Sequence, residues 1–521
     1  MTRLQLNEIE SNRAEAPPLP LTVAPYTSSD DYKSPYASTR PLAKCHAHHF
    51  STESRHFTGS AMKKESSPTG QRRIISLGTG RPTSDYYPWE SLAFRGVSPV
   101  PVKSDFACTL ERTVLKQGET YNLSIGLNYS HASGSAHLLR FITEHVELVH
   151  NPPYSNWTTF LSSGSTAAME VVFRVLCNRG DTILTEQYTY PGTLESATMK
   201  GIKVQGVEMD ADGLLPDALD KVLSSWDTAQ SSKPHVLYTV PTGQNPTGCI
   251  QPLGRRRAIY EVAEKHDLII IEDDPYYFLQ MPPYHHSNGN SGISGSNGQT
   301  TVDETSVEAF HSRCIPSFLS LDTSGRVVRL DSAAKILAPG LRAGWVTASS
   351  QIIGKFLAYQ EISTSSVSGP SQVMLWHLLD ESWGHSGFLS WLMYLSQEYQ
   401  WRRNVVLDAC NLYFPKEIVQ WFPPASGMFL WIEMDWRRYP QLAHLNRSPD
   451  EIDARILELE LQIANKSLEK GVLVTRGSLF SSNNKLNGQL HFRLTFAAAS
   501  REDLKEGVRL FAEALRECFQ L

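Results

Sequence analysis

The sequence predicts an α/β protein: a large domain with a mostly parallel central sheet, followed by a smaller α+β domain. Three observations predict it. Short β-branched apolar runs recur at Asp181-Thr-Ile-Leu-Thr185, His235-Val-Leu-Tyr-Thr-Val240, Leu268-Ile-Ile-Ile271 and Val327-Val-Arg-Leu330. Helical stretches lie between several of them, as in Leu253 to His266, where Ile259, Val262 and Ala263 share a face. Such alternation belongs to a largely parallel sheet. Past about residue 386 the order changes. Strand candidates Met428–Glu433, Val472–Thr475 and Leu490–Phe496 mix with helix candidates 450–469 and 500–517. The last helix opens at Ser500 with Asp503 three residues on, a capping start.

Composition narrows the function. With 521 residues, 41% of them hydrophobic, the chain is long enough for two or three domains with a sizeable core. A net charge of −6 lacks the clustered basic excess that nucleic acid requires. The seven cysteines are scattered and form no C-x-x-C pair, so neither a disulfide framework nor a metal site is expected, and a reducing compartment fits. Met1 to Val23 has no apolar core and carries Glu8, Glu10 and Glu15, unlike a secretory signal. No apolar run approaches the roughly 18–20 residues that cross a bilayer, and Phe519-Gln520-Leu521 is not a peroxisomal address. A cytoplasmic protein is expected.

Five segments carry candidate chemistry. Ser163-Gly164-Ser165-Thr166-Ala167 precedes a helical apolar pattern, so Ser165 and Thr166 stand where a helix start offers free N–H groups to an anion. A plain Ser-capped helix is the ordinary alternative. Pro241-Thr242-Gly243-Gln244-Asn245-Pro246-Thr247-Gly248 follows a strand and forces an irregular loop that could aim Asn245 at a ligand; it is also good turn chemistry. Ile269-Ile270-Ile271-Glu272-Asp273-Asp274-Pro275-Tyr276-Tyr277 ends an apolar strand in three acids, which need a cation or hydrogen bonds. A protonated pyridine nitrogen is one such partner. Metal binding is disfavoured there, because no His or Cys stands nearby at ligand spacing.

Asp331-Ser332-Ala333-Ala334-Lys335 follows another strand, with Arg342 beyond a Pro-Gly turn. A desolvated lysine can bond covalently to a carbonyl carbon, and an arginine fork suits a phosphate; most lysines are simply solvated. Arg493 sits in the β-patterned run Gln489-Leu-His-Phe-Arg493-Leu-Thr-Phe496, where it either grips a substrate carboxylate or joins an internal salt bridge.

In this order the segments resemble the fold-type I pyridoxal 5'-phosphate (PLP) aminotransferases of class I/II, in the branch with the fungal aromatic amino acid aminotransferases and the mammalian kynurenine/α-aminoadipate enzymes. The resemblance runs from about Ile74 to the C-terminus. It implies that Lys335 holds the cofactor covalently, that Asp274 keeps its ring nitrogen protonated, and that Asn245 and Tyr277 hydrogen-bond the ring phenolate. It implies that Tyr190 stacks on the ring, and that Ser165, Thr166, Ser332 and Arg342 form the phosphate cup. Tyr129 is implied to reach the phosphate across a homodimer interface, and Arg493, with Asn245, to bind the substrate carboxylate. Residues 1–70, rich in Ser, Thr, Pro, His and Tyr without a sustained period, read as a largely disordered extension whose arm docks near 55–70, and a segment 71–134 is expected to serve the small domain and the substrate side. The large PLP-binding domain is expected over 135–385, with a flexible insertion at about 284–313, and the small domain over 386–521.

Three departures stand out. Ala334 replaces a phosphate-binding hydroxyl, Leu77-Gly78-Thr79-Gly80-Arg81-Pro82 replaces a glycine-rich segment, and Arg476-Gly477 replaces Pro-Gly. The last two lie on the substrate side in the family. The expected reaction passes an amino group from an aromatic amino acid to a 2-oxo acid such as 2-oxoglutarate, with supply of a secondary-metabolite precursor as a special case. Tyr86, Tyr87 and Trp89 either line the side-chain pocket or pack in the core. The alternatives are a PLP lyase or decarboxylating enzyme on the same fold, and a PLP-sensing transcription regulator, against which residues 1–70 argue by lacking a basic recognition helix.

Overall fold

The computed structural model describes residues 3–61, 77–78, 80–99, 109–285, 306–442, 448–483 and 485–521. In chain order the strands begin with β1 (Ser91–Val97), β2 (Thr109–Leu115), β3 (Trp157–Ser162), β4 (Thr182–Glu186), β5 (Lys203–Val207), β6 (Met209–Asp210), β7 (Gly213–Leu214) and β8 (Val236–Thr239). They continue with β9 (Ile269–Asp273), β10 (Val327–Ser332), β11 (Gly344–Ser349), β12 (Val419–Trp421), β13 (Phe429–Met434), β14 (Thr475–Arg476) and β15 (Leu490–Thr495). Eight helices matter below: α1 (Leu6–Glu15), α2 (Ala136–His150), α3 (Ser165–Leu176), α4 (Pro191–Met199), α5 (Leu253–His266), α6 (Val307–Arg313), α7 (Pro449–Glu469) and α8 (Arg501–Phe519).

The chain forms two compact units of interleaved segments, which do not follow the expected domain boundaries. One comprises Met1–Arg179, Asp267–Pro275 and Pro316–Trp391; the other comprises Gly180–His266, Tyr276–Ile315 and Leu392–Leu521.

In the first unit the strands run in the order β3-β11-β10-β9. Every residue of these four strands is buried, which is why the sequence reads as continuous apolar runs instead of alternating. The β9–β10 ladder is parallel and sets Arg329 opposite Glu272. The β10–β11 and β11–β3 ladders are antiparallel.

Residues 3–61 correct the expectation of a largely disordered extension. Helix α1 buries Ile9. Arg13 reaches Glu144 of α2 at 2.9 and 2.5 Å, and Ser34 donates from its backbone N–H and its hydroxyl to Glu147 at 2.8 and 2.5 Å. These anchors pair polar or charged groups more than 100 residues apart in sequence, so no local period announces them. Residues 1–2 and 62–70 of the expected extension lie outside the described residues.

The second unit carries β8-β4-β5, all parallel. Of the five ladders just described, three are therefore parallel, as the sequence predicts. The same unit holds an antiparallel sheet, β12-β13-β15-β14. This sheet and helices α7 and α8 share a core containing Ile432, Phe492, Ile456, Ile463, Phe511 and Leu515, the expected α+β module. Helix α8 starts as anticipated, with Ser500 accepting from the Asp503 N–H.

Three local expectations change. The strand expected at Val472–Thr475 shrinks to β14, because the Val472 N–H is committed to Ser467 O at 3.0 Å in closing α7. Of the insertion expected at 284–313, residues 286–305 lie outside the described residues, while α6 is ordered by its Ser306 cap and buried Phe310. Tyr86 and Trp89 are 83% and 60% exposed, so they are not core. No helix among the described residues is long and apolar enough to cross a membrane.

Candidate active site

The first unit builds a buried, acid-rich cluster at the end of β9. Glu272 is fully buried near its C-terminal end, and Asp274 is buried just beyond it. Arg329, on β10, is also fully buried. Its Nη1 lies 3.1 Å from Glu272 and 3.4 Å from Asp274 Oδ2, while Nε and Nη2 donate to both oxygens of Asp331 at 3.0 and 2.8 Å. Glu272 also accepts from the N–H groups of Phe318 and Leu319 at 2.8 and 3.1 Å.

Three buried carboxylates thus surround one guanidinium. Burial opposes a charge on Arg329, yet Asp331, Glu272 and Asp274 hold its pKa well above the ordinary value. Burial pushes the Asp331 carboxyl up despite the same arginine.

The residue at the centre of the expectation, Lys335, is exposed on the turn after β10. That turn is fixed from three sides. Leu337 N–H donates to Ala333 O at 2.9 Å, Ala333 N–H to Ala343 O at 3.0 Å, and Trp391 Nε1 to Ile336 O at 2.7 Å. Ser332 ends β10 with its hydroxyl accepting from the Ala334 N–H at 3.2 Å.

Arg342 follows, with φ at +46° and its guanidinium donating to Pro339 O and Ser163 O at 3.0 and 3.2 Å. Beside it α3 opens at Ser165 and Thr166. Gly164 precedes them at φ +96°, and a Cβ there would lie 2.8 Å from Arg342 Nη2. A helix start with hydroxyls, a nearby guanidinium and no acid in its first turn offers donors of the kind that could hold a phosphate. Ala334 contributes only a methyl to this region.

The second unit presents Asn245 and Arg493. The loop holding Asn245 is locked by Gln244, whose Nε2 donates to Tyr188 O at 2.6 Å while Oε1 accepts from Thr247 N–H and hydroxyl at 2.9 and 2.7 Å. Gly243 and Gly427 touch: a Cβ on Gly243 would lie 2.5 Å from Gly427 Cα. Arg493, on β15, donates to Asn245 Oδ1 at 2.8 Å and to the Thr475 hydroxyl at 3.3 Å.

The rings of Phe429 and Phe480 lie 4.5 and 4.9 Å from the Arg493 guanidinium carbon. Burial lowers the pKa of Arg493, opposed only weakly by Tyr276 and Tyr190. Arg493 forms no ion pair among the described residues, and its buried Nε has no hydrogen-bond partner there. The internal salt bridge weighed from the sequence is therefore not what holds it.

The remaining aromatics are placed separately. Tyr277 is buried with its ring edge-on to Phe278. Tyr190 caps α4, where Pro191 starts the helix; a Cβ at Gly192 would lie 2.5 Å from the Tyr190 ring. Tyr129 is 59% exposed. The first unit thus contains Asp274, Ser332, Lys335, Arg342, Ser165 and Thr166, and the second bonds Asn245 directly to Arg493.

Sequence reasoning missed Arg329, Asp331, Gln244 and Thr475 as site residues. For Arg329 the signal was present, a charge inside an apolar strand, the same signal that singled out Arg493.

Comparison with known proteins identifies the family. Residues 110–511 match the family model of aminotransferase class I and II. Aminotransferase swnA of Arthroderma benhamiae is 41% identical over 93% of this chain and 94% of its own length. An aromatic amino acid aminotransferase of Schizosaccharomyces pombe is 37% identical over 91% and 98%. Among solved structures, aminotransferase Aro8 from Candida albicans superposes with a TM-score of 0.81 at 35% identity, covering 92% of this chain and all of that one.

Proposed function

Because this chain belongs to the class I and II aminotransferases, we propose that it passes an amino group from an aromatic amino acid to a 2-oxo acid such as 2-oxoglutarate, with PLP held covalently by Lys335. The observation that carries this reading is Arg493, a half-buried guanidinium without an acidic partner among the described residues. Such a fork takes a carboxylate through two parallel hydrogen bonds, and both the amino acid and the 2-oxo acid bring one. The aromatic preference rests on the name of the Schizosaccharomyces pombe relative.

Two features fit PLP. The acid-rich cluster around Arg329 suits a protonated ring nitrogen at Asp274, and the cradle between Gly164 and Arg342, which a Cβ would fill, suits the phosphate. When bound, PLP supplies a sink for the electron pair left on the substrate α-carbon.

This chain's residues do the rest. Ser165, Thr166, Ser332 and Arg342 hold the phosphate, and Tyr190 covers the ring face. The Asn245 amide nitrogen and the Tyr277 hydroxyl hydrogen-bond the ring oxygen, while Asn245 also assists Arg493 at the carboxylate. Lys335, released when the substrate amine takes its place on the cofactor, would be the base that holds and moves the α-proton. In this reading the enzyme is a homodimer in which Tyr129 of each chain serves the other's phosphate; its exposure on one chain supports that role.

The test adds single amino acids to the PLP-loaded protein and follows conversion of the cofactor spectrum to the aminated form. Aromatic donors are expected to convert it fastest, and turnover is expected to require a 2-oxo acid. Faster conversion by aliphatic donors contradicts the substrate class; turnover without a 2-oxo acid contradicts transamination.

A further inference from the structure

A cluster of histidines in the first unit stands apart from the site above. The run Cys45-His46-Ala47-His48-His49 meets Asp267, which directly precedes Leu268 and strand β9. His48 Nε2 and His49 Nε2 lie 2.7 and 2.9 Å from the same oxygen, Asp267 Oδ2. The other oxygen, Oδ1, faces Arg326 Nη1 at 3.5 Å. One ring nitrogen each of His46 and His49 and a carboxylate oxygen of Asp267 lie within 4.8 Å of one another.

The state of His46 follows from its contacts. It is buried, and its Nε2 lies 3.1 Å from Ser324 O. A carbonyl only accepts, so Nε2 carries the hydrogen and Nδ1 carries a lone pair. Nδ1 is buried with no hydrogen-bond partner among the described residues. An imidazole whose far N–H is tied to a backbone carbonyl is oriented as metal-ligating histidines are. Donor atoms around tetrahedral zinc stand roughly 3.3 Å apart, given bonds of about 2.0–2.1 Å, so the 2.9 Å pair already has nearly that spacing, and only a small shift of His46 completes the set.

We propose that His46, His49 and Asp267 bind a divalent transition-metal ion of the zinc class, with His48 steadying the Asp267 carboxylate. Imidazole nitrogens with one carboxylate select such an ion over magnesium or calcium, which prefer all-oxygen shells. The site fastens the N-terminal segment to the entry of β9, the strand whose far end leads into Asp274. Sequence reading passed it over because His48 and Asp267 are 219 residues apart.

The experiment uses the PLP-loaded full chain, stripped with a chelator and titrated with zinc chloride against a chromophoric zinc indicator. Uptake of one equivalent with micromolar or tighter affinity is expected, undisturbed by millimolar magnesium. His49→Ala and Asp267→Asn are expected to weaken it at least tenfold while the PLP absorbance stays unchanged; asparagine tolerates the left-handed backbone of Asp267 at φ +55°. Cobalt titrated into the wild-type chain gives a second readout that needs no variant: intense visible bands of four-coordinate, nitrogen-ligated cobalt are expected. No stoichiometric uptake, unchanged affinity in both variants, or only the weak bands of hydrated cobalt would overturn the proposal.

Discussion

Arg493 donates from Nη1 to the side-chain oxygen of Asn245 at 2.8 Å, and this bond decides which end of the Asn245 amide is left for a ligand. Because the oxygen is occupied, the NH2 group is the one available to donate, as a ring phenolate requires. In the proposed reading the two residues form one device: the arginine receives the carboxylate and sets the amide that meets the cofactor. Arg493→Lys removes the planar fork and the bond to Asn245 together. We expect kcat/KM for the amino donor to fall by about 100-fold or more, with KM rising and kcat falling. A change confined to KM would show that Arg493 contributes only uniform binding.

Asp274 and Arg329 separate catalysis from stability. Asp274→Asn removes one negative charge from a cluster of three carboxylates around one guanidinium. Its unfolding free energy is expected to stay within about 1 kcal/mol of wild type, or to rise, while activity falls by about 100-fold or more. Arg329→Met leaves the carboxylates buried together and is expected to cost about 3–5 kcal/mol in denaturant unfolding. A loss under about 1 kcal/mol in Arg329→Met would show that the acids are already neutral.

Gly164 tests the phosphate cradle. Its φ of +96° excludes side chains at ordinary cost, and a Cβ would press on Arg342. Gly164→Ala is expected to speed PLP dissociation by about tenfold or more, as for a loss of about 1.4 kcal/mol, with far-UV circular dichroism unchanged. Equal retention of PLP would remove Arg342 from the cup.

Acid lability has an address. Burial, with Arg140 nearby, pushes the His137 pKa down to about 4, and its ring stacks on Tyr121 at 4.8 Å. Asp380 acts in the opposite direction and His377 in the same one. The folded-state value lies below the unfolded one of about 6.5, so the unfolded chain binds the proton first. The stability from a neutral His137 is complete above about pH 6.5 and is lost as pH falls towards 4, by about 3 kcal/mol in all. His137→Phe keeps the aromatic stack and is expected to flatten the unfolding free energy over that window. An unchanged slope would assign the lability elsewhere.

The fold was legible where its cause is local. Continuous apolar runs announced β4, β8, β9 and β10, and the period of Leu253–His266 matched α5 to the residue. The candidate site residues stand out in motifs at strand ends, and Arg493 as a charge in an apolar strand. Arg329 carried the same mark but was absorbed into its strand, since its three acids come from two strands and no one segment shows the group. The ordering of residues 3–61 was hidden for a related reason: Arg13 meets Glu144 across 131 residues. The two units are interleaved along the chain, so no composition shift marks where one gives way to the other.

The central claim is that Lys335 is the lysine that holds PLP. It is tested most directly by reducing the PLP-loaded enzyme with borohydride, digesting it, and locating the cofactor mass by peptide sequencing in a mass spectrometer. The expected result is a single modified peptide with the label on Lys335, and no label or visible cofactor absorbance in Lys335→Ala. A label on another lysine, or the wild-type spectrum in Lys335→Ala, would contradict the assignment.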